Sequence, residues 1–170
     1  MSSVRRIAIC LVRRPGSVVI GLLVMVLASV GLLLASVSAA SAEPGGVPFT
    51  VELTGEAEVN AAGEPNQGDP DGSGTASLTI NPGLGQVCWT IEVADVALPI
   101  AAAHIHEAPS TEPGPIVVHL GHLGDPFAAE GCTTVSRELA LDIIVNPGDY
   151  YVNVHNAAFP AGAVRGQLSR

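Results

Sequence analysis

Short segments in which apolar and polar residues alternate, each closed by a turn, constrain the fold of this chain more than any other feature. The clearest pair spans residues 75–80 and 86–93, and an Asn-Pro-Gly turn follows the first of them. Alternation with a period of two is typical of strands that bury one face. The short connection therefore predicts a β-hairpin, with Trp89 as an anchor on its buried side.

The same pattern recurs along the chain, and helical periodicity is almost absent. Further extended segments are predicted over residues 49–53, 101–106, 116–120, 131–139, 150–155 and 163–168. Residues 138–145 have helix-compatible spacing, and residues 60–74, rich in Gly, Pro, Asn and Asp, predict a long surface loop. About eight short strands separated by turns predict an all-β fold, an antiparallel Greek-key-like β-sandwich or barrel.

Residues 1–42 differ from the rest of the chain. Four arginines precede an uncharged apolar run over residues 18–34, and small residues ending in Ala40-Ser41-Ala42 follow it. This order is typical of a secretory signal peptide, with residues 43–48 as a linker and 49–170 as the folded domain. The alternative is an uncleaved membrane anchor, because the run approaches the ~18 residues that span a bilayer. Either alternative predicts a secreted or extracytoplasmic, cell-envelope protein.

Cleavage after residue 42 would leave 128 of the 170 residues, enough for one domain with its own core. All 16 acidic residues lie beyond residue 42, whereas the basic residues there are only Arg137, Arg165 and Arg170. The formal charge of residues 43–170 is therefore −13. Such a surface repels nucleic acid and anionic lipid and favours cations. We therefore expect no nucleic-acid partner, and membrane contact only through an uncleaved N-terminal segment.

Cys88 and Cys132 are the two cysteines beyond residue 42. An even pair in an exported chain predicts one disulfide, and two buried free thiols are the alternative. Closing a loop of that length would stabilise the fold by about 4 kcal/mol, because it restricts the unfolded chain.

Three histidines stand on two of the predicted strands. His104 and His106 flank Ile105, and His155 follows a Val-Asn-Val alternation. If Ile105 and the valines face the core, all three imidazoles face away from it. They would then form either a metal site, for which imidazole suits copper or zinc, or a set of polar groups that fix loops by hydrogen bonds.

Blocks of sequence in a fixed order resemble the CHRD (chordin) domain family. The blocks are Ala-His-Ile-His at 103–106, Gly-Pro-Ile-Val-Val at 114–118, Tyr-Val-Asn-Val-His at 151–155, Phe-Pro-Ala-Gly at 159–162 and Val-Arg-Gly-Gln-Leu at 164–168. The resemblance covers residues 49–168 and implies the single-domain, secreted bacterial type, whose ligand and activity are unassigned. With one copy and no cysteine-rich module, the growth-factor antagonism of chordin does not carry over. The chain departs from the family pattern at Glu107, where a glycine is usual.

A fainter, local similarity links His104-Ile105-His106-Glu107 and Val154-His155 to the copper-ligand segments of copper–zinc superoxide dismutase. That similarity implies copper at the three histidines and an anion-guiding role for Arg165, for which a structural role is the alternative. The clustered zinc ligands of that enzyme have no counterpart here, so we do not expect dismutase activity.

The sequence thus indicates a binding or structural module rather than an enzyme. It contains no G-x-S-x-G nucleophile motif and no glycine-rich phosphate loop. The partner is expected to be an extracellular protein or surface ligand that the sequence does not identify. A copper- or zinc-binding protein using His104, His106 and His155 is the alternative.

Overall fold

In a computed structural model of the chain, residues 45–121 and 127–170 are described. The predicted signal segment lies outside these residues, as does His122. None of the helices within the described ranges combines the length and the apolar character needed to cross a bilayer.

The described residues contain eight strands in one antiparallel sheet, which confirms the all-β prediction. The strands are β1 (Val47–Thr54), β2 (Ser73–Asn81), β3 (Gln86–Ala94), β4 (Ile100–Glu107), β5 (Ile116–His119), β6 (Glu130–Thr134), β7 (Tyr150–Asn156) and β8 (Val164–Gln167). Their order across the sheet is β5-β4-β7-β8-β1-β2-β3-β6. β1 begins at Val47, so the last two residues of the predicted linker belong to the sheet.

The sheet curls into a nearly closed barrel whose edge strands, β5 and β6, approach each other through residues just beyond them. The backbone N–H of Ala128 donates to the carbonyl of Leu120 at 3.4 Å, and the carbonyl of Ala128 accepts from Trp89 Nε1 at 2.8 Å. The N–H of Ile91 on β3 donates to the carbonyl of Ala129 at 2.7 Å. The first bond joins the residues before β6 to the end of β5, and the other two hold the same residues against β3.

Inward-facing residues of successive strands fill the barrel as the alternation predicts. Trp89 is buried in the core cluster with its neighbours on β3. Ile105 on β4, Val152 and Val154 on β7 and Val164 on β8 have no exposed surface. Since side chains alternate along a strand, the residues between them must point away from the barrel interior.

One α-helix, α1 (Arg137–Val145), lies between β6 and β7 in the described part of the chain and confirms the helix predicted over 138–145. It begins where the Ser136 side chain accepts a hydrogen bond from the N–H of Leu139 at 3.0 Å. Ala140 and Ile143 on its inner face are fully buried. This cap also corrects the extended prediction for residues 131–139, because β6 ends at Thr134.

The Cys88–Cys132 disulfide is present and confirms the predicted pairing. The two residues lie directly opposite each other on β3 and β6, with Cα atoms 3.9 Å apart. The bond therefore fastens the edge strand β6 to the sheet and closes a loop between residues 44 positions apart.

Replacing both Cys88 and Cys132 by serine should lower the free energy of unfolding by about 4 kcal/mol, because the unfolded chain is then free of the cross-link. The measurement is urea unfolding of the double variant beside the oxidised parent protein. Equal unfolding midpoints for the two proteins would contradict the structural role of the bond.

Candidate metal centre

The outer face of three adjacent strands carries polar side chains in register. His104 on β4 lies opposite Asn153 on β7, and Asn153 lies opposite Arg165 on β8. His106 lies opposite Tyr151 in the next outward-facing row. Directly opposed residues on antiparallel strands have Cβ atoms about 5 Å apart, so the alternation brings these groups together on one surface.

These outward-facing groups are nevertheless buried. His104 and His106 are each 8% exposed, and Asn153 and Arg165 are each 1% exposed. His155 is partly exposed. Strand alternation predicts the direction of these side chains but not their burial. Groups from the β1–β2 and β4–β5 connections contact Arg165, and the β4–β5 connection also contacts His106.

The three predicted ligands converge. One ring nitrogen from each of His104, His106 and His155 lies within 4.8 Å of the others, and His104 Nδ1 is 3.1 Å from His155 Nε2. Ligands about 2.1 Å from a tetrahedral zinc ion lie about 3.4 Å apart. The widest pair in the cluster must therefore close by up to about 1.4 Å to hold an ion. Among the described residues it is the one group of three or more histidine, cysteine or carboxylate side chains with ligand atoms this close together.

Backbone carbonyls fix the proton positions of two of the rings. His106 Nδ1 is 2.8 Å from the carbonyl oxygen of Gly114, and His155 Nδ1 is 3.2 Å from that of Pro160. A carbonyl only accepts, so Nδ1 carries the proton and Nε2 keeps its lone pair in each neutral ring. Metal-binding histidines are typically oriented in this way.

One ring nitrogen of the cluster lacks a well-formed hydrogen bond. His106 Nε2 is buried, and in the part of the chain that the structure describes the Asn153 side chain approaches it without the geometry of a hydrogen bond. His155 Nε2 lies 2.9 Å from Asn153 Oδ1 and 3.1 Å from His104 Nδ1. With the His155 proton on Nδ1, its Nε2 accepts from His104 Nδ1–H in the metal-free protein. An ion between the three rings would take the lone pair of His106 Nε2, and the His104 proton would then lie on Nε2 of that ring.

Burial keeps the imidazoles in their neutral form. It lowers the pKa of His104 to about 4, and the neighbouring imidazoles, His155 first, add to the effect. Burial also lowers the pKa values of His106 and His155. At neutral pH each ring is therefore uncharged, with one protonated nitrogen and one lone pair, and the uncharged ring is the form that binds metal.

Arg165 lies beneath the β4–β5 connection. Its Nη2 donates to the carbonyls of Pro109 and Glu112, both at 3.0 Å, and its Nη1 lies 3.8 Å from Glu58 Oε1. The guanidinium carbon is 3.4 Å from the centre of the Tyr151 ring. These contacts are those of a structural residue, and at 1% exposure the guanidinium offers almost no surface to a diffusing anion.

The sequence analysis did not place two neighbours of the cluster. His119 on β5 pairs with His104, and their ring centroids are 4.9 Å apart. His119 stands between Val118 and Leu120, so strand alternation alone would predict an outward side chain. Its position beside His104 depends on the pairing of β4 with β5, which the alternation does not give. Glu58 reaches the site from the β1–β2 connection, and no periodic signal predicts it.

The family model of the CHRD domain matches residues 49–168. This chain belongs to the CHRD domain family. The match contains all three candidate ligands, Arg165 and both disulfide cysteines of this CHRD domain. Searches of curated proteins and of solved structures found no match, so the local similarity to superoxide dismutase gains no support from them.

The metal-free CHRD domain should lose stability as the pH falls from about 6.5 to about 4. His104 takes up a proton near its ordinary pKa of 6.5 when unfolded but only near 4 when folded. In that window the unfolded state binds more protons, so unfolding is favoured by about 1.4 kcal/mol for each pKa unit of the difference. Urea unfolding with a chelator present, between pH 7.5 and 4, measures the effect.

The His104→Gln variant is the control for this measurement. Burial raises the pKa of Glu58, which acts in the opposite direction because the folded state then gains stability as the pH falls. The variant keeps Glu58 and lacks the His104 contribution, so its stability should depend less on pH. Identical pH profiles for the two proteins would contradict the burial of a neutral His104.

Proposed function

We propose that this protein is an extracytoplasmic CHRD module that binds a copper or zinc ion through His104, His106 and His155. The observation that carries the proposal is the buried Nε2 of His106, to which the described residues make no hydrogen bond of good geometry. A buried polar atom without a partner costs free energy, and an ion at this position would remove that cost.

The donor set favours these metals over harder cations. Three neutral imidazole nitrogens suit copper and zinc, whereas calcium and magnesium need several oxygen ligands. Cys88 and Cys132 are joined in a disulfide and supply no thiolate. The group of convergent ligand atoms found in the described residues contains no carboxylate.

The lone pairs available to an ion are those of His106 Nε2 and His155 Nε2, because the Nδ1 of each ring is hydrogen-bonded to a carbonyl, and His104 Nδ1 lies 3.1 Å from His155 Nε2. Three protein ligands leave a position on a tetrahedral ion for water or a small ligand. The partly exposed His155 edge is the route by which an ion would reach this buried set.

The disulfide and the charge of the domain support an extracytoplasmic location. Disulfides persist in oxidising compartments, and the predicted signal segment agrees with export. A formal charge of −13 beyond residue 42 raises the concentration of cations near the surface.

A second candidate is a structural or binding module for an extracellular protein or surface ligand, with no metal. It is favoured by the hydrogen bonds of Arg165, which already join the β4–β5 connection to β8. The histidines would then only extend this network. The two proposals differ in whether the purified protein holds metal.

The wild-type protein should bind about one zinc or copper ion per chain. His104→Ala and His155→Ala should each abolish stoichiometric binding, because each leaves two imidazoles, which alone rarely retain an ion in a structural or catalytic site. The measurement is elemental analysis after equilibration with excess metal and desalting.

His119→Gln is the matched control, since it removes an exposed imidazole that lies beside His104 but outside the convergent group. This variant should keep its metal. A wild-type protein without metal, with His104→Ala and His155→Ala merely less stable, would overturn the metal proposal and leave the second candidate.

A further inference from the structure

Arg165 holds the segment that connects β4 to β5. Its Nη2 donates to two carbonyls of that segment, those of Pro109 and Glu112. The guanidinium is 1% exposed and belongs to β8, which is separated from β4 by β7. One side chain therefore reaches across a strand to fasten residues 108–115 over the outer face of the sheet.

Gly114 connects this segment to the candidate ligand His106. The Gly114 N–H donates to the hydroxyl oxygen of Tyr151 at 3.1 Å, and its carbonyl accepts from His106 Nδ1 at 2.8 Å. A Cβ added at Gly114 would collide with the carbonyl of Glu107, so the close approach needs glycine. The position of one peptide thus depends on Tyr151 and decides where the His106 proton lies.

The Tyr151 ring completes a closed set of contacts. It stacks on His106 with centroids 4.8 Å apart and an interplanar angle of 8°, and it carries the Arg165 guanidinium 3.4 Å from its centre. Each member of this closed set of contacts therefore limits the position of the next. The members are Arg165, residues 108–115, His106 and Tyr151.

We propose that Tyr151 and Arg165 are positioning residues of the metal centre, which act through Gly114 to keep the proton of His106 on Nδ1 and its Nε2 free for an ion. The inference rests on the proposed function. A neutral imidazole has two tautomers, and the wrong one would place a proton where the ion must bind. Replacing residues that orient a metal-binding histidine typically lowers metal affinity about 10- to 100-fold.

If Arg165 acted on the ion only through its charge, Arg165→Lys should leave the zinc affinity almost unchanged, because lysine repels the ion with the same positive charge. Lysine keeps the charge but lacks the planar fork that donates to both carbonyls and stacks on tyrosine. Weaker binding in Arg165→Lys therefore indicates positioning rather than charge.

The decisive variant is Tyr151→Phe, which keeps the stacked ring and removes only the hydroxyl that accepts from Gly114. We expect zinc affinity, measured by competition with a chromophoric chelator, to fall at least about tenfold while the stoichiometry stays unchanged. In the metal-free protein, the ¹⁵N chemical shifts of His106 should change from the pure Nδ1–H form to a mixture of tautomers.

Tyr150→Phe is the matched control, because the Tyr150 hydroxyl donates to Asp142 on α1, away from the histidines. It should lose stability but keep wild-type zinc affinity and a single His106 tautomer. If wild type binds zinc and Tyr151→Phe binds it equally well with an unchanged tautomer, the inference is wrong and the proposed function stands. If wild type binds neither zinc nor copper, the proposed function is wrong and the inference falls with it.

Discussion

The two-residue period of β4, β7 and β8 is the constraint on which the rest of the structure depends. A strand has two faces, so filling the barrel with Ile105, Val152, Val154 and Val164 sends every residue between them to the outer face. A slip of one residue would exchange the faces and bury charged or polar groups among apolar ones, at a cost of several kcal/mol. The apolar core therefore determines the register, and the register brings the histidines together.

The outer face is a second buried layer, made of polar rather than apolar groups. Such a layer is stable only if its groups find partners, and most of them do, through loop carbonyls and through Glu58 and Asn153. The exceptions within the described residues include His106 Nε2 and Arg165 Nη1, which lacks a hydrogen bond although Glu58 lies 3.8 Å away. Departures from complete hydrogen bonding are expected at functional sites, where a further group completes the set. In the proposed function, that group is a copper or zinc ion for His106.

Much of this arrangement could be predicted from the sequence, because its signals are periodic or countable. Alternation gave the strands and their inner faces, His-x-His spacing gave the shared direction of His104 and His106, and the even cysteine count gave the disulfide. What could not be predicted depends on tertiary contacts. The burial of Arg165 requires loop carbonyls that no pattern places above it, and the pairing of His119 with His104 requires the register of β5. The start of α1 is marked by one hydroxyl, that of Ser136, rather than by a change in periodicity.

We propose that the polar layer on the outside of the apolar barrel forms a three-imidazole metal site. X-ray absorption spectroscopy of the zinc-loaded protein tests it most directly, because it reports the number, distance and type of ligand atoms around the ion. The account predicts three nitrogen ligands at about 2.0–2.1 Å with the multiple scattering of imidazole rings. A first shell of oxygen atoms alone, without imidazole scattering, would contradict it.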